Sequence, residues 1–135
     1  MNLILESKPP VIKPTMAKVN LVDKKVRFTL EELVKFQLIT HCYIDKLIVS
    51  ESDLNCMTLL GIMGETDLTD FCAVASTNKI FKTTQTVRNS IAKMEKSKLI
   101  TKVGRSKKRI ALNPDIKIQT MGNILLNYKL FYIAS

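Results

Sequence analysis

Across Thr84–Asn113, TQTVRNSIAKMEKSKLITKVGRSKKRIALN, the apolar residues change period without a break. Val87, Ile91 and Met94 recur at i, i+4 and i+7, the spacing of one helix face, and predict a helix from about Thr84 to Lys98. Leu99–Val103 and Arg109–Asn113 are β-prone and are joined by Gly104-Arg105-Ser106-Lys107-Lys108, which predicts a hairpin turned at the glycine. A chain carrying this run must bury the apolar stripe of the helix and hold a basic hairpin directly beside it. On a helical wheel the direction opposite the stripe belongs to Gln85, Asn89, Ala92 and Lys96, flanked by Arg88 and Lys93.

What that outer surface faces is constrained by charge. The 135 residues carry a net charge of +9, but the charge is segregated. Residues 1–70 hold eight basic and ten acidic side chains, and residues 71–135 hold thirteen basic and two acidic. Within Lys79–Arg109, eleven Lys and Arg stand against Glu95 alone. Solvated faces intersperse both signs, so a block of one sign points to a polyanionic partner. A membrane surface fits poorly, because the apolar stripe offers only Val, Ile and Met and lacks the Trp, Phe or Leu that anchors an interfacial helix.

Other classes of function are disfavoured by what the residues do not form. There is one His, His41, and no Gly-rich phosphate loop, and Glu31, Glu32, Glu51 and Asp53 are explained as helix starts. No catalytic residue, cofactor or metal is expected, and the chain reads as a non-enzyme. Cys42, Cys56 and Cys72 are odd in number, widely spaced and without a C-x-x-C pair, which fits reduced core thiols. The N-terminal MNLILES lacks a basic leader, and no apolar run approaches the roughly 20 residues that span a bilayer, so a cytoplasmic protein is expected.

Upstream, residues 1–17 read as an extended arm. Asn2–Glu6 is a short strand candidate, followed by a proline-rich SKPPVIKP that forbids helix. Residues 18–135 read as a single domain. Lys18–Phe28 alternates well enough for one strand, or for a hairpin interrupted at Asp23-Lys24-Lys25. Thr29 and Glu32 form a capping-box pattern and Phe28 and Leu33 a hydrophobic staple, starting a helix that runs to about Lys46. Its apolar residues, Leu30, Leu33, Val34, Phe36, Ile39, Tyr43, Ile44 and Leu47, exceed one narrow stripe; core burial is the expected role, with a subunit interface for part of them as the alternative.

Ser50 or Ser52 caps a second helix closed by Gly61 and Gly64, Thr66 or Asp67 starts a third, and Thr83 caps the fourth. After Asn113-Pro114-Asp115, Ile116–Thr120 is expected to extend outward. Residues 123–133, with Ile124, Leu126, Tyr128, Leu130 and Tyr132 on one face, are read as a strand in preference to a helix.

The order helix, helix, turn, helix and basic hairpin, with Val87, Ile91, Met94, Leu99 and Ile100 in register, resembles the winged helix-turn-helix family over roughly Ser50–Asp115. Within it the chain looks most like replication-initiator-type winged helices of bacterial plasmids and phages, where a wing strand ends in Asn-Pro as Asn113-Pro114 does here. Regulators of the multiple-antibiotic-resistance type are the nearest rival. The proline-rich arm and the C-terminal strand depart from the common pattern.

The resemblance implies an α+β, mainly α fold: a winged helix-turn-helix with a β-hairpin wing and short terminal strands. It further implies binding of double-stranded DNA in transcription or replication within a bacterial host. Gln85, Arg88 and Asn89 would meet base edges, because Arg pairs with guanine and Asn or Gln with adenine in the major groove. Thr83, Thr84, Lys93, Lys96, Arg105, Lys107, Lys108 and Arg109 would meet the backbone. A homodimer is expected, with the arm open to a protein partner. The competing reading is a structural or assembly protein, a virion or nucleoprotein component that uses the same fold for protein or non-specific nucleic-acid contacts.

Overall fold

Each α-helix among the described residues begins at a residue whose side chain replaces the missing backbone acceptor. In the computed structural model, which describes residues 18–132, Thr29 Oγ1 accepts from Glu32 N at 3.2 Å while Glu32 Oε1 accepts from Thr29 N at 2.9 Å, opening helix α1 (Leu30–Ile44). Ser50 and Asp53 make the same reciprocal pair for α2 (Glu51–Met63). Asp67 caps α3 (Leu68–Thr77), and Thr83 with Thr86 caps α4 (Thr84–Lys96). Such boxes satisfy two orphan donors at once and contribute about 1 kcal/mol each. The expected N-terminal arm, residues 1–17, lies outside the described residues, as does the last residue of the expected 123–133 strand.

Three helices also end alike. Asp45-Lys46-Leu47, Asn78-Lys79-Ile80 and Ser97-Lys98-Leu99 each place a lysine in the left-handed region, at φ 58°, 60° and 61°. The following aliphatic N–H donates back to the carbonyl five residues earlier: Leu47 to Cys42 at 2.8 Å, Ile80 to Ala75 at 3.2 Å, Leu99 to Met94 at 2.9 Å. This is the Schellman closure with lysine where glycine is usual. The cation sits at the negative end of the helix dipole, which offsets part of the left-handed cost.

Two short antiparallel sheets accompany the helices. In the first, β2 (Thr66–Asp67) pairs with β4 (Arg109–Leu112), which pairs with β3 (Ile100–Val103), in the order β2-β4-β3. The hairpin β3–β4 lies where the sequence predicts it. Strand β2 was not anticipated, because two residues carry no periodicity. A 3-10 turn follows β4 at Pro114–Ile116.

Ile116–Thr120 does not extend outward as expected. Gln37 of α1 takes hold of it through its side-chain amide, with Nε2 donating to Gln119 O at 2.7 Å and Oε1 accepting from Gln119 N at 2.8 Å. Ile116 and Ile118 pack on the core. An amide side chain copies the donor and acceptor of a strand neighbour here, which the sequence pattern does not reveal.

In the second sheet, β1 (Lys18–Val26) pairs with β5 (Ile124–Tyr132) from Val26↔Ile124 to Lys18↔Tyr132. The last segment is therefore strand, as expected, and β1 runs unbroken through Asp23-Lys24-Lys25. Residues 28–122 are one compact unit, and β1 and β5 belong to another. The physical reason is that β1 spends its ladder bonds on a strand about a hundred residues away in sequence, and not on the β2-β4-β3 sheet.

Within 28–122 every helix contributes to one core: Val34 and Leu38 from α1, Leu54, Met57 and Leu60 from α2, Phe71 and Ala75 from α3, and Val87, Ile91 and Met94 from α4, closed by Leu99, Ile100 and Ile110. Helices α1 and α2 approach closely at Gly61, where an added Cβ would stand 2.8 Å from Val34 Cγ1 and 2.9 Å from Leu112 Cδ1. Valine at a buried helical site has little rotamer freedom to yield. Gly61→Ala should therefore lower stability by about 1 kcal/mol in urea unfolding, the overpacking cost outweighing the roughly 1 kcal/mol that helix propensity returns. A rise in stability would mean that the contact gives way freely.

Candidate nucleic-acid interface

The fourth helix turns one side entirely inward: Val87, Ile91 and Met94 are buried, with Ser90 among them. This rotation is fixed by the apolar stripe, and it leaves Thr84, Gln85, Asn89, Ala92, Lys93 and Lys96 exposed and Arg88 half-buried. Gln85 and Asn89 lie one turn apart and are joined, Nε2 donating to Oδ1 at 2.9 Å. Arg88 leans toward the start of α3, where its Nη2 reaches Thr69 Oγ1 at 3.4 Å. Of the three residues expected at base edges, Gln85 and Asn89 form one exposed polar pair on the N-terminal half of α4, and Arg88 is half-buried beside the start of α3. Thr83 and Thr84 stand at the cap of α4.

Lys93 is placed differently from Lys96. Its Nζ donates to Asp53 Oδ2 at 2.7 Å, toward the start of α2. Asp53 is 5% exposed and accepts from three sources: the Ser50 N–H, the Ser90 hydroxyl at 2.7 Å and Lys93. Burial works against the ionised carboxylate, but the donors of Lys93, Ser90 and Ser50 outweigh it and hold the Asp53 carboxyl below its ordinary value. Asp53 reads in the sequence only as a helix start. Nothing local signals that it also ties α2 to α4, because Ser90 and Lys93 lie some forty residues away.

At the hairpin, Lys107 N donates to Gly104 O at 3.3 Å to close the turn, and Lys107 itself takes φ 54°. The Leu68 N–H at the start of α3 donates to Lys108 O at 2.8 Å, tying the turn end of β4 to the helix that precedes α4. Arg105, Lys107 and Lys108 are exposed and make no ion pair with a carboxylate among the described residues. Arg109 differs: its Nε donates to Glu65 Oε2 at 2.8 Å and its Nη2 to Glu65 O at 3.2 Å. Of the six cations expected at a nucleic-acid backbone, Lys96, Arg105, Lys107 and Lys108 are therefore uncommitted within the described chain. Lys93 and Arg109 are already engaged.

The three cysteines are buried and free. Burial pushes the Cys56 thiol up to about 12 against the opposing hydrogen bond of Ser90, and burial raises Cys42 and Cys72 as well. Thiols so placed are poor nucleophiles and pack as small apolar groups. Among the described residues no helix is long and apolar enough to cross a membrane, and no three His, Cys, Asp or Glu side chains converge. No family model, curated protein or solved structure matches the chain, so the assignment of this surface rests on its own residues.

Proposed function

We propose that residues 28–122 are a winged helix-turn-helix unit that binds double-stranded DNA, with α4 in the major groove and the β3–β4 hairpin along the sugar-phosphate backbone. The observation that carries this reading is the exposed amide pair Gln85 and Asn89, with half-buried Arg88, on the N-terminal half of α4, together with three hairpin-tip cations that pair with no carboxylate among the described residues. The order β2, α3, α4, β3, β4 with β4 central in its sheet supports the same reading.

In this arrangement Gln85 and Asn89 offer the donor and acceptor pair that matches adenine, and Arg88 the fork that matches guanine. Lys96 and the hairpin supply affinity without sequence information. A regulator or replication initiator of plasmid or phage type is the role implied by the resemblance. An assembly component is the second reading, and the ribbon β1–β5 favours it: Leu21, Leu125 and Tyr128 stand 64%, 62% and 55% exposed on a two-stranded sheet.

The test is binding of a random-sequence duplex, followed by fluorescence anisotropy at several salt concentrations. Four uncommitted cations should give a slope of log K against log salt of about −3.6, steepening to about −5.4 if Lys93 and Arg109 leave their carboxylates for phosphate. Binding that is absent at low salt, or indifferent to salt, removes the DNA reading and leaves the assembly role.

A further inference from the structure

Helix α1 buries Leu33, Val34, Leu38 and Cys42, and its opposite side is not the polar face that an ordinary surface helix would show. Glu32, Phe36, Ile39 and Tyr43 follow one another at i, i+4, i+7 and i+11, and at 100° per residue they fall within a sector of roughly 60°. Ile39 is 46% exposed and Tyr43 62%. Phe36 is half-buried, its ring stacked on Phe28 with centroids 5.4 Å apart. The stripe is apolar at its centre and charged at its ends, with Glu32 before it and Lys46 just past the helix terminus.

The spacing of these residues is self-complementary. Glu32 stands seven residues before Ile39, about 10 Å away along the axis, and Lys46 stands seven after it, two residues past the helix end. Phe36 stands three before and Tyr43 four after. If a second α1 runs antiparallel across a two-fold axis at Ile39, each Ile39 meets its copy, each Phe36 faces a Tyr43, and each Glu32 faces a Lys46. A parallel pairing would set Glu32 against Glu32 and Lys46 against Lys46. Glu32 uses only Oε1 in its capping box, so Oε2 is available for the second copy's ammonium.

We propose that this stripe is a homodimer interface, occupied by α1 of a second copy of the chain in antiparallel orientation. The interface is independent of the nucleic-acid reading and is tested without DNA. Sedimentation equilibrium of the full chain at micromolar concentration should give twice the monomer mass. Ile39→Glu, at an exposed site where folding is not at risk, should weaken association by about 100-fold or more, because two carboxylates would meet on the axis.

The charge arrangement gives a second, more specific arm. Glu32→Lys and Lys46→Glu should each weaken self-association by about tenfold, and an equimolar mixture of the two variants should restore it, since every end pair in the mixed dimer is then of opposite sign. Loss of the capping box in Glu32→Lys cannot produce that rescue. A monomeric full chain, a dimer indifferent to Ile39→Glu, or a mixture that associates no better than its components would each overturn the proposal. The first of these would mean that another part of the chain or an unlike partner covers the stripe.

Discussion

Removing the three hairpin-tip cations together should reduce affinity for duplex DNA by about 10²- to 10³-fold near 0.1 M salt, whatever the sequence. Each neutralised phosphate contributes about 0.9 to the salt slope, so three lost contacts should also flatten it by roughly 2.7. The substitutions are Arg105→Ala, Lys107→Gly and Lys108→Ala. Glycine is chosen at 107 because φ there is 54°, a conformation it adopts without the steric cost of a Cβ. All three side chains are exposed, so thermal unfolding should be little changed.

The comparison is with the helix. Arg88→Ala or Asn89→Ala should cost about 1–3 kcal/mol on a preferred site and little on random sequence. Lys93→Ala and Arg109→Ala should cost less than the hairpin changes, since those cations already hold Asp53 and Glu65. If the triple variant binds as the parent does, the hairpin is not a backbone contact.

The second large effect is on stability. Asp53→Ala should destabilise the 28–122 unit by about 2–4 kcal/mol in chemical denaturation. It removes the acceptor of the Ser50 N–H, a bond worth about 1 kcal/mol, while Ser50 Oγ keeps the residue-53 N–H, and it leaves the Ser90 hydroxyl, 5% exposed at the residue level, without its acceptor at a further cost of about 1–3 kcal/mol. Little is assigned to Lys93, whose side chain is 53% exposed and regains water.

The same network sets an acid dependence. The folded carboxyl is held below its ordinary 3.8, so its contribution is complete above pH of about 4 and is lost as pH falls through the lower folded value. The parent should lose stability across that acid window more steeply than Asp53→Asn, which has no carboxylate to protonate. Parallel pH profiles for the two would show that Asp53 is not the titrating group.

Those two sites mark what can and cannot be read before the fold is known. Thr29, Ser50 and Thr83 announce α1, α2 and α4 because a cap is a contact between residues two or three apart, and the hairpin is legible because Gly104 separates two β-prone runs. A helical wheel places Lys93 on the outer edge of α4, within reach of a phosphate. The wheel has no knowledge of Asp53, which arrives from another helix. The union of β1 with β5 is equally non-local: each strand is visible alone, and neither names its partner. The helix ends carry a local signal of their own, since Asp-Lys-Leu, Asn-Lys-Ile and Ser-Lys-Leu recur at three termini with lysine in the place more often taken by glycine.

The ribbon also decides how the molecule would carry a mechanical load. Lys18 and Tyr132 are cross-strand partners at one end of the ribbon, while Val26 and Ile124 are partners at the end from which residues 28–122 depart. Tension applied between residues 18 and 132 pulls the strands apart in the zipper direction, so the ladder bonds break a few at a time and never as a set. The ribbon would yield at low force from its outer end inward, and the core of Leu38, Met57, Phe71 and Ile91 would feel no load until Val26 and Ile124 had separated. A pair of strands joined in this way is a fuse, spent before the unit it protects.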